Sequence, residues 1–426
     1  MQLGLGGRLH HERRLTRLSF NATITPHNVA RNNTPESLFH GLPFFKPSEL
    51  AARLKVHRST IYRWKTGEAI PRPDQLERLG RLKSELPKWR RQVARFTFID
   101  LFAGIGGMRL GLEAIGGKCI YSCEIDRFAR ETYLKNFGVQ NGHAFSEDIN
   151  EVEVESIPDH DLLVAGFPCQ PFSVAGVSKK NALGQPHGFK CENQGNLFFR
   201  IRDILAVKRP PAFLLENVKN LKSHDKGDTF RVIENILRNE LGYEVQTRII
   251  NAKGWLPQNR ERIFLVGFRD RTDFCFDDMR VRDPQKGPRL SSILESDVER
   301  RYVLTSHLWT YLRNYADKHR ALGHGFGYGL VTEKDVARTL SARYYKDGSE
   351  ILISRGKRKR PRRLTPRECA RLMGFDDRFR IPVSDTQAYK QFGNAVAVPV
   401  IKKIGRHMLP HLLKVVNGRQ PRLPKI

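Results

Sequence analysis

From Phe96 to about Phe268 the chain alternates short apolar runs with stretches of helical periodicity. The runs are Phe98–Phe102, Cys119–Cys123, Leu162–Ala165, Ala212–Leu215 and Arg262–Val266. They are too short for helices and lie between polar or turn-forming segments, so they read as buried strands. Strands that alternate with helices predict an α/β fold, a parallel sheet covered on both faces. In open sheets of this kind chemistry collects at the carboxyl ends of the strands, which directs attention to the residues that follow each run.

The flanking segments have other patterns. Residues 1–45 mix Arg, Asn, His, Gly and Pro without periodicity and read as a disordered leader. Within 46–90, Ser48 is placed to cap a helix through Leu54. Lys55-Val56-His57 makes a turn, and a second helix runs from Arg58 to Lys65 and stops near Gly67. Leu50, Leu54, Val56, Ile61 and Trp64 fall where two crossed helices meet, with Arg58, Ser59, Thr60 and Arg63 outward. This resembles a repressor-type helix-turn-helix, whose second helix enters the major groove. A charged helix from Leu76 to Trp89 follows. Between 269 and 360 the strand–helix rhythm fails, and Arg, Gly and Tyr accumulate around a strand-like Ala337–Ala342. That stretch reads as a small module inserted in the larger domain. Helical pattern returns over 361–415.

Composition bounds the partner. A formal charge of +29 at pH 7 and a pI near 10.2 point to a polyanion, and an excess of this size favours nucleic acid over a small acidic substrate. The sequence has no long apolar run and no apolar signal core at its start, so neither a membrane nor secretion is expected. Six cysteines at irregular spacing suggest a reducing cytosol. Cys119 and Cys123 lack the second pair that a zinc site needs, and no metal is expected.

Two sets of residues carry chemistry. Asp100-Leu101-Phe102-Ala103-Gly104-Ile105-Gly106-Gly107 follows the first strand and opens a helix, and its glycines let a ligand approach the backbone closely. Glu124 ends the next strand, where a carboxylate can hold two ribose hydroxyls, and Asp148 could accept from an adenine amino group. Arg109 at the last fingerprint position departs from the dinucleotide pattern, which a ligand without a pyrophosphate tolerates. The order suggests a nucleoside cofactor such as S-adenosylmethionine. The second set begins with Gly166-Phe167-Pro168-Cys169-Gln170-Pro171 after the third run. It continues with Glu216-Asn217-Val218 after the fourth and Gln258-Asn259-Arg260-Glu261-Arg262 before the fifth. A thiolate favoured by nearby arginines is a strong nucleophile at neutral pH, and a glutamate beside it could move a proton to or from a base ring.

In this order the motifs resemble the DNA (cytosine-5)-methyltransferases over about Phe96 to Met408. The match extends to Leu364–Phe375 and Gln391-Phe392-Gly393-Asn394-Ala395-Val396. The likeness is greatest to bacterial Dcm-type enzymes, which share stretches such as Gly325–Gly329 and Arg343–Gly348. The resemblance implies a Rossmann-like S-adenosylmethionine-dependent methyltransferase sheet over 96–268, a target-recognition domain over 269–360, and a C-terminal part over 361–415 that closes the cofactor pocket. It implies that Cys169 attacks carbon 6 of a flipped cytosine and that Glu216 holds ring nitrogen 3 and the exocyclic amine. Arg262, with Arg260 nearby, would support the base. Phe102, Gly104, Gly106, Glu124, Asp148, Pro168, Leu197, Asn394 and Val396 would contact the cofactor. The loop after Cys169, with Ser173, Gly176, Gly184, Gly188 and Gly195, would close as a lid.

Arg338, Arg343, Tyr344, Tyr345 and Lys346 are candidates to read base edges, and Thr339 and Leu340 to fix the loop or contact phosphate. The run Arg355–Arg363 would track phosphates without reading sequence. By resemblance the site is CCWGG, methylated on the inner cytosine, with CCNGG as the alternative. The helix-turn-helix adds operator DNA as a second partner and autorepression as a second function. A cognate restriction endonuclease, a monomeric state and a bacterial, nucleoid-associated cytoplasmic location complete the expectation. A tRNA methyltransferase on the same core is opposed by the length of 269–360, and a purely regulatory DNA-binding protein by the intact Cys169, Glu216 and Arg262 set.

Overall fold

The computed structural model describes residues 47–66, 68–85, 94–138, 143–167, 197–325 and 327–418. The chain divides into two compact units, Met1–Lys83 and Ser84–Ile426.

In the first unit, helix α1 (Pro47–Leu54) and helix α2 (Arg58–Thr66) enclose a sharp turn. Lys55 takes a left-handed conformation (φ 55°), ending α1, and the Ser59 amide donates to His57 Nδ1 (3.3 Å) at the start of α2. Leu50, Leu54, Ile61 and Trp64 are buried between the helices, while Val56 is only half-buried. The next helix, α3 (Pro73–Glu85), begins earlier than its apolar pattern suggests, because Pro73 is pre-shaped for a first turn. Arg78 ties it to α1 by donating to the Leu54 carbonyl (3.2 Å). The leader lies outside the described residues.

The second unit is built on a seven-stranded sheet in the order β3-β2-β1-β4-β5-β7-β6. Its strands are β1 (Phe96–Leu101), β2 (Gly117–Cys123), β3 (Ala144–Ser146), β4 (Leu162–Gly166), β5 (Ala212–Val218), β6 (Glu244–Asn251) and β7 (Glu261–Phe268). The pairs from β3 through β5 are parallel, as expected. β7 departs from the expectation: it runs antiparallel to both β5 and β6. The connection from Asn251 to Glu261 is too short for a crossover, so β6 and β7 must form a hairpin. β6 is the sheet edge and is mostly polar, with only Val245, Ile249 and Ile250 apolar, so no apolar run announces it. β5 also reaches further than its apolar run and carries Glu216, Asn217 and Val218 within the strand.

One face of the sheet packs on the long C-terminal helix α11 (Val398–Asn417) and on α4 (Gly107–Glu113), which follows β1. These two helices approach through reciprocal glycines. A Cβ on Gly111 would lie 2.7 Å from Ile401, and one on Gly405 would lie 2.8 Å from Ile115. Helix α5 (Arg127–Phe137) follows β2, helix α6 (Leu197–Lys208) precedes β5, and α7 (Asp228–Asn235) follows it.

The stretch 269–360 holds helix α8 (Ser306–Ala321) and a short parallel pair. Ala337–Ala342 is not the strand its composition suggests. Among the described residues only Ala337 bridges, to Gln258, while Thr339 and Leu340 bond to the β6–β7 connection. Leu290, Leu340, Tyr344 and Ile351 share one core with Leu364, Cys369, Phe375, Tyr389 and Phe392. At this junction Thr365 and Glu368 form a capping box on helix α9 (Pro366–Leu372). The fully buried Glu368 carboxylate receives both Nη groups of Arg362 (2.7 and 2.8 Å) and the Glu295 amide (2.8 Å). Helix α10 (Asp385–Asn394) leads from there to α11.

Candidate active site

The turn after β1 begins at Phe102, which holds φ 55°, a conformation costly for a bulky side chain. Gly104 (φ 55°) and Gly106 (φ 83°) complete a coil that the Ala103 amide ties to the Cys123 carbonyl (2.9 Å). Glu124 braces it from β2: one carboxylate oxygen accepts from the Gly104 amide (2.7 Å) and the other from the Asp126 amide (2.8 Å). Burial raises the Glu124 pKa against these two bonds. Asp148 accepts from the Asn150 amide (2.9 Å) and side chain (3.0 Å), which orients it at the end of β3.

These residues line a cavity of about 470 Å³, within the usual range of a small-molecule site. Phe102, Gly104, Glu124, Asp148, Leu197, Asn394 and Val396 all contribute. Asn394 arrives from the end of α10 because α11 lies against α4, and Val396 fills the space that Gly107 leaves, 2.8 Å from where a Cβ would stand. Gly106 does not line the cavity. It faces Phe137, whose ring would lie 2.2 Å from a Cβ, so it serves helix packing. Pro168 is outside the described residues.

Asp100 also lines the cavity, a functional position that the motifs by themselves do not mark. It is 1% exposed, its Oδ2 has no partner among the described residues, and burial raises its pKa well above the carboxylate range. The signal was present in the sequence as an acid inside an apolar strand, one turn before the glycines. A buried acceptor, a backbone turn with no Cβ at Gly104, and two carboxylates at the neighbouring strand ends suit a ligand with hydroxyl and ammonium groups. S-adenosylmethionine fits this donor and acceptor set.

The opposite wall is formed by β5 and β7. Glu216 is 8% exposed, and its Oε1 lies 3.1 Å from Arg262 Nε. Burial raises the Glu216 pKa, opposed by Arg262 and then Arg260. Glu216 is in register with Gly166, the last residue of β4, so β4 ends beside this carboxyl group. Cys169 and the lid residues lie outside the described residues. Asn217 fixes the residue after β4: its Nδ2 donates to the Phe167 carbonyl (2.9 Å).

Arg260 lines the same cavity, but its guanidinium is committed to backbone. Nη1 donates to Leu340 O (2.9 Å), and Nη2 to Gly393 O (3.1 Å) and Ala395 O (2.8 Å). Burial, with Arg262 close by, pushes its pKa down to about 9. Gln258, in the same string, is a structural tie. It is fully buried, accepts from the Leu340 amide (2.8 Å) and donates to the Leu372 carbonyl (3.1 Å).

Of the candidate base readers, Arg338, Arg343 and Lys346 are exposed and Tyr345 is half-buried. Tyr344 is not available to DNA. It is fully buried, with its hydroxyl donating to Ile351 O (2.7 Å) and accepting from the Leu364 amide (2.8 Å). Thr339 donates to the Asn259 carbonyl (2.6 Å) and so fixes the loop. In the first unit Arg58, Ser59 and Arg63 are exposed on α2 while Thr60 is half-buried, and Arg58 donates to the Tyr62 hydroxyl one turn further on (3.1 Å). Among the described residues no cluster of His, Cys, Asp and Glu could hold a metal ion, and no helix is long and apolar enough to cross a membrane.

Residues 96–409 match the family described as C-5 cytosine-specific DNA methylase. The chain is 49% identical over 377 residues to the DNA-cytosine methyltransferase of Escherichia coli K12, covering 76% of this chain and 80% of that protein. It is 48% identical over 359 residues to the type II methyltransferase M1.ScrFI of Lactococcus lactis, covering 83% and 88%. Among solved structures, Spodoptera frugiperda DNMT2 aligns with a TM-score of 0.59 at 20% identity, covering 74% of this chain and 99% of that one.

Proposed function

The chain belongs to the C-5 cytosine-specific DNA methylases and uses S-adenosylmethionine, and from that premise we propose that it methylates the inner cytosine of CCWGG in duplex DNA. The observation that carries the chemistry is the buried Glu216, ion-paired to Arg262 and in register with the strand end that leads to Cys169. The stretches Gly325–Gly329 and Arg343–Gly348 carry the resemblance to Dcm-type enzymes from which CCWGG is taken, with CCNGG as the alternative.

S-adenosylmethionine would supply an activated methyl group and leave as its demethylated thioether, and Phe102, Gly104, Glu124, Asp148, Leu197, Asn394 and Val396 would hold it. The target cytosine leaves the stack and enters the cavity. The Cys169 thiolate forms a bond to carbon 6 while Glu216 gives a proton to ring nitrogen 3, so electron density collects at carbon 5. Arg262 holds the Glu216 carboxyl in place for this transfer. After carbon 5 is methylated it loses its proton to a base, the carbon–sulfur bond to Cys169 breaks, and Glu216 takes back the nitrogen 3 proton. Arg260 is a positioning residue: its three carbonyl bonds hold 269–360 and the cofactor wall against the β7 end.

The exposed Arg58, Ser59 and Arg63 on α2 support a second role, binding of an operator and repression of the protein's own promoter. A companion restriction endonuclease for the same site, a monomeric state on DNA, and a bacterial cytoplasmic, nucleoid-associated location belong to the same reading.

The test is expression in a host without cytosine methylation and base-resolution mapping of 5-methylcytosine, beside Cys169→Ser and Glu216→Gln. Marks confined to CCWGG that vanish with Cys169→Ser are expected. Marks at every CCNGG would change the site, and the absence of any Cys169-dependent mark would overturn the chemistry.

A further inference from the structure

A second cleft, of about 530 Å³, opens where the β6–β7 connection meets the segment Val336–Arg338. Asn251, Lys253, Asn259, Asp283, Gln285 and Arg338 supply its polar lining. Its inner wall is a hydrogen-bonded strip: the Asn259 amide donates to Ala337 O (2.8 Å), the Ala337 amide to Pro257 O (2.8 Å), and Thr339 Oγ1 to Asn259 O (2.6 Å). The same strip carries Gln258 and Arg260, whose side chains tie the wall of the catalytic cavity. A ligand seated in the cleft is thereby fixed relative to the reacting base.

The cleft is positively charged. Lys253 and Arg338 stand on different segments, and neither makes an ion pair or a side-chain hydrogen bond among the described residues. The one carboxylate in the lining, Asp283, already accepts from the Gln285 amide (2.9 Å). Two unpaired cations against one occupied carboxylate, beside side-chain amides, make a site for an anion with several acceptor oxygens. We propose that this cleft binds a backbone phosphate of the DNA duplex through Lys253 and Arg338. The proposal rests on duplex DNA being the substrate, and it moves Arg338 from base reading to backbone positioning.

The experiment uses the full chain and a duplex bearing one CCWGG site, with binding measured over a range of salt concentrations. Lys253→Ala/Arg338→Ala should weaken binding roughly tenfold and lower the slope of log K against log salt by about 1, while Arg338→Lys keeps the wild-type slope. Unchanged S-adenosylmethionine affinity in the double variant verifies that it is folded. Single methylphosphonate substitutions along both strands should reveal one phosphate whose neutralisation weakens the wild type and leaves the double variant unaffected. Identical slopes and identical methylphosphonate profiles overturn the proposal. So does Lys253- and Arg338-dependent binding of inorganic phosphate with no change in the DNA slope, because the cleft then holds a free anion. A wild type that neither binds nor methylates duplex DNA refutes the parent reading instead.

Discussion

At the scale of residues, two buried carboxyl groups give opposite kinds of prediction. Glu216 is proposed as a proton donor, and burial raises its pKa, so its protonated form persists further toward neutrality than an ordinary glutamic acid would allow. Single-turnover methylation should therefore fall as pH rises through the Glu216 pKa. Glu216→Gln should be slower by about 10²–10⁴ and lack that limb; a variant with the wild-type profile would remove Glu216 from the proton transfer. Asp100 is a stability question. Its folded pKa is raised, so its contribution is fully present below the ordinary carboxylate pKa and is lost as pH rises through the folded value. Asp100→Asn should melt above the wild type at about pH 8, with the gap closing below about pH 4, and should bind S-adenosylmethionine more weakly. A melting difference that does not change with pH counts against the assignment. Glu216, Arg262 and Glu124 were legible in the sequence because each sits in a short string at a strand end. The role of Arg260 was not, since its acceptors lie 80 to 135 residues away.

At the scale of elements, the sheet was legible wherever a strand is buried on both faces. β6 was hidden because an edge strand keeps one side polar, and the direction of β7 depended on pairing with that missing strand. Contacts between elements left only glycines as a trace. A Cβ on Gly393 in α10 would lie 2.3 Å from the carbonyl carbon and oxygen of Ser341. Backbone cannot yield as a side-chain tip does, so Gly393→Ala should destabilise the second unit by about 1–3 kcal/mol and lower methylation. Urea unfolding followed beside turnover checks it, and unchanged stability would mean that α10 moves freely against the segment that carries Ser341.

At the scale of the whole molecule, the two units invite separate tests. If α2 reads an operator, Arg58→Ala with Arg63→Ala should abolish footprint protection at the promoter of the protein's own gene while genomic 5-methylcytosine stays at the wild-type level. Loss of both together would tie the helix to methylation, and retained protection would remove the regulatory role. The charge of +29 predicts strong salt dependence for DNA binding overall, without saying which lysines and arginines are responsible. That assignment needs the structure, because it depends on which cations have a carboxylate within reach.

The sequence alone determined the α/β class, the order of the motifs and the residue types at each strand end, because these follow from hydrophobic period and local turn chemistry. Only the tertiary structure decided that Tyr344 is core, that Gly106 and Gly393 serve packing, that Asp100 faces the cofactor cavity with an oxygen unpaired among the described residues, and that Lys253 and Arg338 share a cleft. Each of these depends on which distant segment comes to lie alongside, and burial and pairing between remote residues leave no periodic signal in the chain.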